Sequence, residues 1–86
     1  MIRKKSELNK IKHGIDFERA KALWDDENSY EFNTAAANEE RFLVVGEIDK
    51  LLWTAVITYR GELIRIISVR RSRFREVEEY DNRKGI

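Results

Sequence analysis

The stretch RFLVVGEIDKLLWTAVITYRGELIRIISVR, from Arg41 to Arg70, is rich in the β-branched and aromatic residues that favour strands. It divides into three apolar segments, RFLVVGEI, LLWTAVITY and LIRIISVR, with turns offered by EIDK and by Arg60-Gly61. Three strands joined by such short turns pair with their neighbours. The stretch therefore predicts an antiparallel meander.

Alternation along these strands predicts one apolar face, because successive side chains point to opposite sides of a sheet. A turn on Arg60 and Gly61 places Ile57 opposite Ile64 and Ala55 opposite Ile66. The apolar face then comprises Phe42, Val44, Trp53, Ala55, Ile57, Ile64 and Ile66. We expect it to pack on helices, with Trp53 in the core.

The opposite face is mixed in character and is expected to be open. In the same register, Arg41 and Arg65 flank Val56 at one level. Two arginines so placed repel each other unless an anion or a partner's carboxylate lies between them, which predicts an anion site. The face comprises Arg41, Leu43, Val45, Leu52, Thr54, Val56, Thr58, Arg65, Ile67, Val69 and Arg71.

Two helices are predicted before the strands. The first covers residues 4–13, with Leu8 and Ile11 on one side and Gly14 as its stop signal. Asp16 is the expected N-cap of the second. One face of that helix is marked by Phe17, Ala20 and Trp24.

The remaining segments complete an α+β fold. SYEFNT is a candidate edge strand and AAANEE a loop, and Ser72 is a possible N-cap for a C-terminal helix through Tyr80. We expect two N-terminal helices packed on a three- to four-stranded antiparallel sheet, followed by a C-terminal helix. The 86 residues predict a single domain, residues 1–86.

Composition excludes several classes of protein. There is no cysteine, which excludes disulfides and a thiolate metal site and suits a reducing cytoplasm. The lone His13 and the scattered carboxylates show no metal-ligand spacing, so neither a metal nor another cofactor is expected. No apolar run approaches the roughly 20 residues that span a membrane. A soluble cytoplasmic protein is the expectation.

Positive charge is concentrated although the net charge is only +1. Residues 60–75 contain six arginines and one acidic residue. Arginine offers a planar fork that holds a phosphate through two hydrogen bonds, so a basic patch of this kind favours phosphate binding. The alternative is that these arginines are solvated or paired with nearby acids, namely Glu76, Glu78 and Glu79.

Three segments stand in a distinctive order along the chain: KHGIDFERA (12–20), ERFLVVG (40–46) and RGELIRIISVRRSRFREVEEY (60–80). Together they resemble the BrnT toxins of bacterial type II toxin–antitoxin systems. The resemblance implies a RelE-like fold, inhibition of translation by RNA cleavage, and neutralisation by a BrnA-like antitoxin with a ribbon-helix-helix half. It also implies contact with operator DNA only through the antitoxin, whereas the expectation of no membrane partner comes from the lack of a long apolar run.

The sequence departs from the family pattern in two places. Members usually begin with a strand that reads like Phe-Glu-Trp-Asp, whereas Met1-Ile2-Arg3 stands near that strand's end, so the sheet is expected to lack a strand. The loop WDDENSYEF also has no proline, which members often have there. A toxin weakened by the shortened N-terminus is one alternative that follows.

Metal-free RNA cleavage needs groups that stabilise a charged phosphorane and groups that move protons. We predict Arg65 and Arg41 for phosphate contact and charge stabilisation. His13 is a candidate acid–base group, although a structural role beside Gly14 is the stronger expectation for it. Tyr59 is a candidate proton donor or stacking group. The further candidates for substrate contact are Arg70, Arg71, Arg60 and Lys12, whereas Arg73 and Arg75 are expected to contact solvent or a partner.

Two functions remain open at this point. One is a metal-independent endoribonuclease toxin. The other is a non-catalytic binding protein whose arginine-rich face docks an acidic partner or nucleic acid.

Overall fold

A four-stranded antiparallel sheet organises the computed structural model, which describes residues 5–33 and 41–84. The strands follow chain order across the sheet and are β1 (Tyr30–Asn33), β2 (Phe42–Ile48), β3 (Leu51–Arg60) and β4 (Leu63–Arg71). The helices are α1 (Lys5–His13), α2 (Phe17–Ala20), a 3₁₀ helix (Lys21–Asp25) and α3 (Phe74–Arg83). The α+β class, the meander and the edge strand are thus confirmed, while the predicted loop at residues 35–40 lies outside the described residues.

The two hairpin turns differ in how well the sequence predicted them. Asp49 and Lys50 form the first, and both have positive φ, as the favoured two-residue hairpin turn requires. In the second, Arg60 pairs with Leu63, so the turn lies on Gly61 and Glu62. The prediction of Arg60-Gly61 was wrong by one position. Consequently Ile57 pairs with Ile66 and not with Ile64.

A β-bulge interrupts β4 at Ile67. Ile57 pairs with Ile66, whereas the preceding Val56 pairs with Ser68, so Ile67 is an extra residue on β4. An extra residue reverses the alternation of the side chains that follow it. The predicted faces are therefore correct for Ile64 and Ile66 but wrong for Val69 and Arg71.

The main core lies between the sheet and the N-terminal helices. Trp53 and Val69 are both buried in it, which confirms the prediction for the first and corrects the face of the second. Gly46 lies against Leu23 of the 3₁₀ helix, so close that an added Cβ would be 3.1 Å from the Leu23 Cδ2 atom. The buried apolar members are Ile15, Ala20, Leu23, Val44, Ile48, Trp53, Ala55, Ile57 and Val69.

Part of the opposite face is covered by α3, although we had expected that face to be open. Tyr30, Val45 and Tyr80 form a second buried cluster there. The Tyr80 hydroxyl donates to Asp26 Oδ2 at 2.6 Å, and the Tyr30 hydroxyl donates to the Glu76 carbonyl at 2.9 Å. Helix α3 therefore protects one end of this face.

Helix α1 contacts the sheet through a polar residue. The buried Asn9 side chain accepts a hydrogen bond from Val69 N–H and donates to the Val69 carbonyl, both at 3.0 Å. Leu8 and Ile11 are instead 50% and 63% exposed, so the apolar side predicted for this helix does not face the core. Asp16 caps α2 as predicted, since Oδ1 accepts from Arg19 N–H at 2.7 Å.

Candidate anion site beside β4

A cavity of about 380 Å³ lies at the uncovered end of the mixed face. Strands β3 and β4 supply most of its wall, and α1 and the residue before β2 supply the rest. The lining residues are Lys5, Arg41, Thr58, Tyr59, Arg60, Arg65 and Ile67.

Pairing across β3 brings the two predicted arginines together. Arg65 lies opposite Thr58, and Arg41 directly precedes Phe42, which pairs with Ile57. Both arginines line the same cavity. The prediction that they share a face at one level is confirmed, but they flank Thr58 and not Val56, because the register differs from the predicted one by two residues.

The lining is strongly basic. Four of its residues carry a positive charge, and none of the described residues in the lining is a carboxylate. Thr58 adds a hydroxyl group, while Ile67 makes part of the wall apolar. Guanidinium and ammonium groups that converge in one cavity concentrate a positive field, which attracts phosphate or carboxylate groups.

Tyr59 lines the cavity, but its hydroxyl is engaged elsewhere. The ring meets Phe42 edge to face, with centroids 5.1 Å apart, and the hydroxyl donates to the Glu31 carboxylate, with oxygen distances of 2.6 and 2.8 Å. The hydrogen bond to Glu31, with some burial, raises the pKa of Tyr59 above its usual 10.0. The phenol is therefore protonated at neutral pH. Its role in proton transfer stays a prediction.

His13 and Lys12 lie at the far end of α1 from Lys5. The eight residue steps between Lys5 and His13 correspond to about 12 Å of helix. Neither His13 nor Lys12 is among the described residues that line the cavity. The Gly14 N–H donates to the Lys10 carbonyl at 2.8 Å, and Gly14 has a φ of 86°. His13 thus precedes a glycine-terminated helix end, while its predicted role stays a prediction.

Arg70 forms an ion pair outside the cavity. Its guanidinium donates to both oxygens of Glu76, at 2.8 and 2.9 Å. Burial alone would raise the pKa of Glu76, but the hydrogen bonds from Arg70, Arg73 N–H and Thr54 lower it below its ordinary 4.5. Arg70 is therefore paired with a nearby acid, which is the alternative that the sequence offered for the arginines of residues 60–75.

Arg71 also lies outside the cavity, on the opposite face. Its guanidinium stacks over Trp53, 5.4 Å from the ring centroid, and Nε donates to the Leu52 carbonyl at 3.3 Å. The β-bulge causes this placement. Contact of Arg70 or Arg71 with substrate stays a prediction, whereas Arg65, Arg41 and Arg60 are together in the cavity.

Sequence reasoning did not select Lys5, Thr58 or Glu31. Thr58 could have been found, since alternation puts it on the face of Arg65. Lys5 reaches the cavity because the polar residue Asn9 fixes α1 on β4, and no periodic pattern signals such a contact. Glu31 lies in the predicted edge strand, but its contact with Tyr59 crosses β2.

Across residues 5–33 and 41–84, no three histidine, aspartate or glutamate side chains form a group able to hold a metal ion. None of the helices in this part of the chain is long and apolar enough to cross a membrane.

The fold and cavity define a small α+β protein with a basic cavity at one end of an antiparallel sheet. Its sequence matches, over residues 3–76, the family described as ribonuclease toxin, BrnT, of type II toxin–antitoxin systems. The chain belongs to this family, as the resemblance had indicated. The comparison with curated proteins gives no significant match.

Proposed function

We propose that this chain is a cytoplasmic endoribonuclease that inhibits translation by cleaving RNA without a metal ion, on a single RelE-like domain. The observation that supports this most directly is the convergence of Lys5, Arg41, Arg60 and Arg65 on one cavity in a member of a ribonuclease toxin family.

In this proposal Arg65 and Arg41 hold the scissile phosphate. The 2′-hydroxyl loses its proton and its oxygen attacks the phosphorus, while the bond from phosphorus to the 5′-oxygen breaks and that oxygen leaves with a proton. Charge builds up on the phosphate oxygens in this step, and the two guanidinium groups stabilise it from opposite sides of Thr58. Removal of one preorganised donor of this kind typically lowers kcat by about 10²–10³-fold. Arg60 and Lys5 attract the neighbouring phosphates and orient the strand, with Arg70, Arg71 and Lys12 as further predicted contacts.

Proton transfer is assigned to His13 and Tyr59, and separate variants distinguish them. The raised pKa of Tyr59 keeps its phenol protonated at neutral pH, which suits a proton donor. A large fall in the rate of RNA cleavage in a folded His13→Ala variant would assign His13. A fall in rate across the neutral range in Tyr59→Phe would assign Tyr59.

The proposed partners are an RNA substrate and a protein antitoxin. Membership of a type II family supports an antitoxin in general. We propose that it is BrnA-like, with a ribbon-helix-helix half that binds operator DNA, and that the toxin contacts DNA only through it.

The decisive experiment is induction of the chain in bacteria with and without the adjacent antitoxin gene. Growth arrest with RNA cleavage, relieved by the antitoxin, is the expected result. Arg65→Ala should relieve toxicity while still folding, and Arg75→Ala, an exposed arginine of α3, is the matched control that should remain toxic. Full toxicity of a folded Arg65→Ala variant would reject the role of this residue.

A second candidate, a binding protein without catalysis, is favoured by the position of the proton-transfer groups. The Tyr59 hydroxyl is held by Glu31, and His13 is absent from the described cavity lining. Purified chain that binds RNA with a steep salt dependence yet leaves it intact would support this function.

A further inference from the structure

An apolar groove lies on the opposite face of β4 from the basic cavity. It has a volume of about 270 Å³ and is lined by Lys21, Trp24, Ile64 and Ile66. Ile64 and Ile66 alternate with Arg65, which lines the cavity on the other face. One short segment of β4 therefore forms a wall of both the groove and the cavity.

Within residues 5–33 and 41–84, no strand pairs with the outer edge of this segment. Strand β4 is the last in the sheet order, and Leu63 and Ile64 are 74% and 44% exposed. At Val69 the Asn9 amide already pairs with the outward backbone groups, as a neighbouring strand would do. With the one-residue shift at the bulge, alternation directs the backbone groups of Ile64 and Ile66 to this same edge.

We propose that the antitoxin lays an extended segment along the outer edge of β4, from Leu63 to Ile67. Apolar side chains of that segment enter the groove beside Trp24, and the alternating acidic side chains enter the cavity beside Arg65. Backbone hydrogen bonds supply affinity in this mode, and alternate side chains supply specificity. The inference rests on the proposed function only for the identity of the partner.

Such a segment also explains inhibition. Carboxylates beside Arg65 and Arg41 occupy the place where the substrate phosphate binds, so antitoxin and RNA exclude each other. Apolar side chains of the segment would also bury Ile64 and Ile66 on the other face of β4. The charged backbone of RNA offers no equivalent apolar contact.

Charge selects a protein with acidic residues over a second copy of this chain. An edge-to-edge pair of two β4 strands brings Arg65 and its basic neighbours toward their own copies, and like charges placed opposite each other across strands are destabilising. An acidic segment reverses the sign of that interaction.

The first test measures antitoxin binding to two variants with equal changes in charge. Ile64→Glu places a carboxylate in the groove. Leu51→Glu, in the other hairpin, is the matched control, because the side chain of Leu51 is 42% exposed and that of Ile64 is 44% exposed. The probe is the purified protein from the adjacent antitoxin reading frame, measured by calorimetry after circular dichroism shows both variants folded. We expect Ile64→Glu to weaken binding by about tenfold or more, as at an interface hot spot, and the control to bind as the parent does. Equal binding by all three proteins would overturn the proposal.

The second test uses two synthetic peptides of one composition. In the first, valine and glutamate alternate; in the second, the valines and glutamates are in separate blocks. Tighter binding of the alternating peptide, lost in both Ile64→Glu and Arg65→Ala, is the expected result. Equal affinities for the two peptides, or self-association of the parent chain that Ile64→Glu abolishes, would overturn it.

The two proposals fail in different ways. Ile64→Glu should remain toxic in the absence of antitoxin, because its side chain faces away from the cavity, and should escape neutralisation. If it is toxic yet fully neutralised, the docking proposal fails while the proposed function stands. If the parent chain neither arrests growth nor cleaves RNA, the proposed function fails, and the binding measurements still decide whether the edge of β4 binds the protein.

Discussion

Arg70 and Glu76 form a bidentate ion pair between β4 and the first turn of α3, with N–O distances of 2.8 and 2.9 Å. The same carboxylate accepts from Arg73 N–H at 2.7 Å and from the Thr54 hydroxyl at 2.9 Å. One side chain thereby ties the start of α3 to two strands.

Glu76→Gln should reduce the free energy of unfolding by about 2–4 kcal/mol, because removing one partner of a largely buried ion pair leaves the other charge uncompensated. Urea unfolding measures the change. Glu79→Gln is the matched control: Glu79 pairs with Arg83 on the exposed side of α3, and such pairs are worth about 0–1 kcal/mol. Equal losses in the two variants would contradict the role given to Glu76.

Stability should fall in acid through Glu76 and Asp26. Burial raises the pKa of Asp26, but hydrogen bonds from Tyr80 and from the backbone of Asn28 and Glu47 lower it below its ordinary 3.8. A carboxyl with a depressed pKa in the folded state stabilises the fold above its unfolded pKa, and this contribution is lost as the pH falls through the folded pKa.

The free energy of unfolding should therefore be level above about pH 5 and decline below 4.5 and 3.8, the ordinary pKa values of Glu76 and Asp26. Urea unfolding between neutral pH and pH 3 measures this, and Glu76→Gln should flatten part of the decline. A variant whose stability depends on pH just as the parent's does would show that Glu76 contributes nothing to it.

Asn9→Leu should destabilise the fold by about 3 kcal/mol or more, since it leaves three groups without their partner, the N–H and carbonyl of Val69 and the carbonyl of Ile15, each at about 1–3 kcal/mol. Hydrogen exchange of the Val69 amide should accelerate with it. Leu8→Ala, at the exposed neighbouring position, is the control and should change little. A stable Asn9→Leu variant with a protected Val69 amide would show that α1 is held by other contacts.

Gly46→Ala should cost about 1–3 kcal/mol through overpacking. The new Cβ would be 3.1 Å from Leu23 Cδ2 and 3.2 Å from Ser29 Cβ. The double variant Gly46→Ala/Leu23→Ala measures whether relief of the contact restores part of the loss, beyond what the cost of Leu23→Ala alone predicts. If the losses of unfolding free energy in the two single variants simply add in the double variant, the strain does not arise from contact with Leu23.

The strands and their bounds were predictable because β-branched runs and turn residues are local signals. The Asp16 cap and the buried Trp53 are of this kind as well. The exact register was not, since a turn on Gly61-Glu62 and one on Arg60-Gly61 use the same glycine. The bulge left no trace in the sequence, because Ser68, Val69, Arg70 and Arg71 alternate equally well in either phase.

The sequence predicted the arginines of the cavity but not all of the other side chains that line it, and Lys5 is among those it missed. Arg65 and Arg41 follow from alternation alone, which survives a register error of two residues. Lys5 depends on the Asn9 contact, a polar pairing that hydrophobic periodicity does not register, and the helix stripe predicted from Leu8 and Ile11 pointed to the wrong side of α1.

Because Ile67 is an extra residue on β4, the number of residues between Arg65 and Arg70 decides which face of the sheet each later side chain lies on. Gain or loss of one residue there would exchange the two sides for everything downstream, taking Arg70 away from Glu76 and turning Val69 out of the core. A change of two residues would preserve both. Length variation in this segment should therefore be tolerated in even steps only, a constraint on how related chains can diverge that no single substitution would expose.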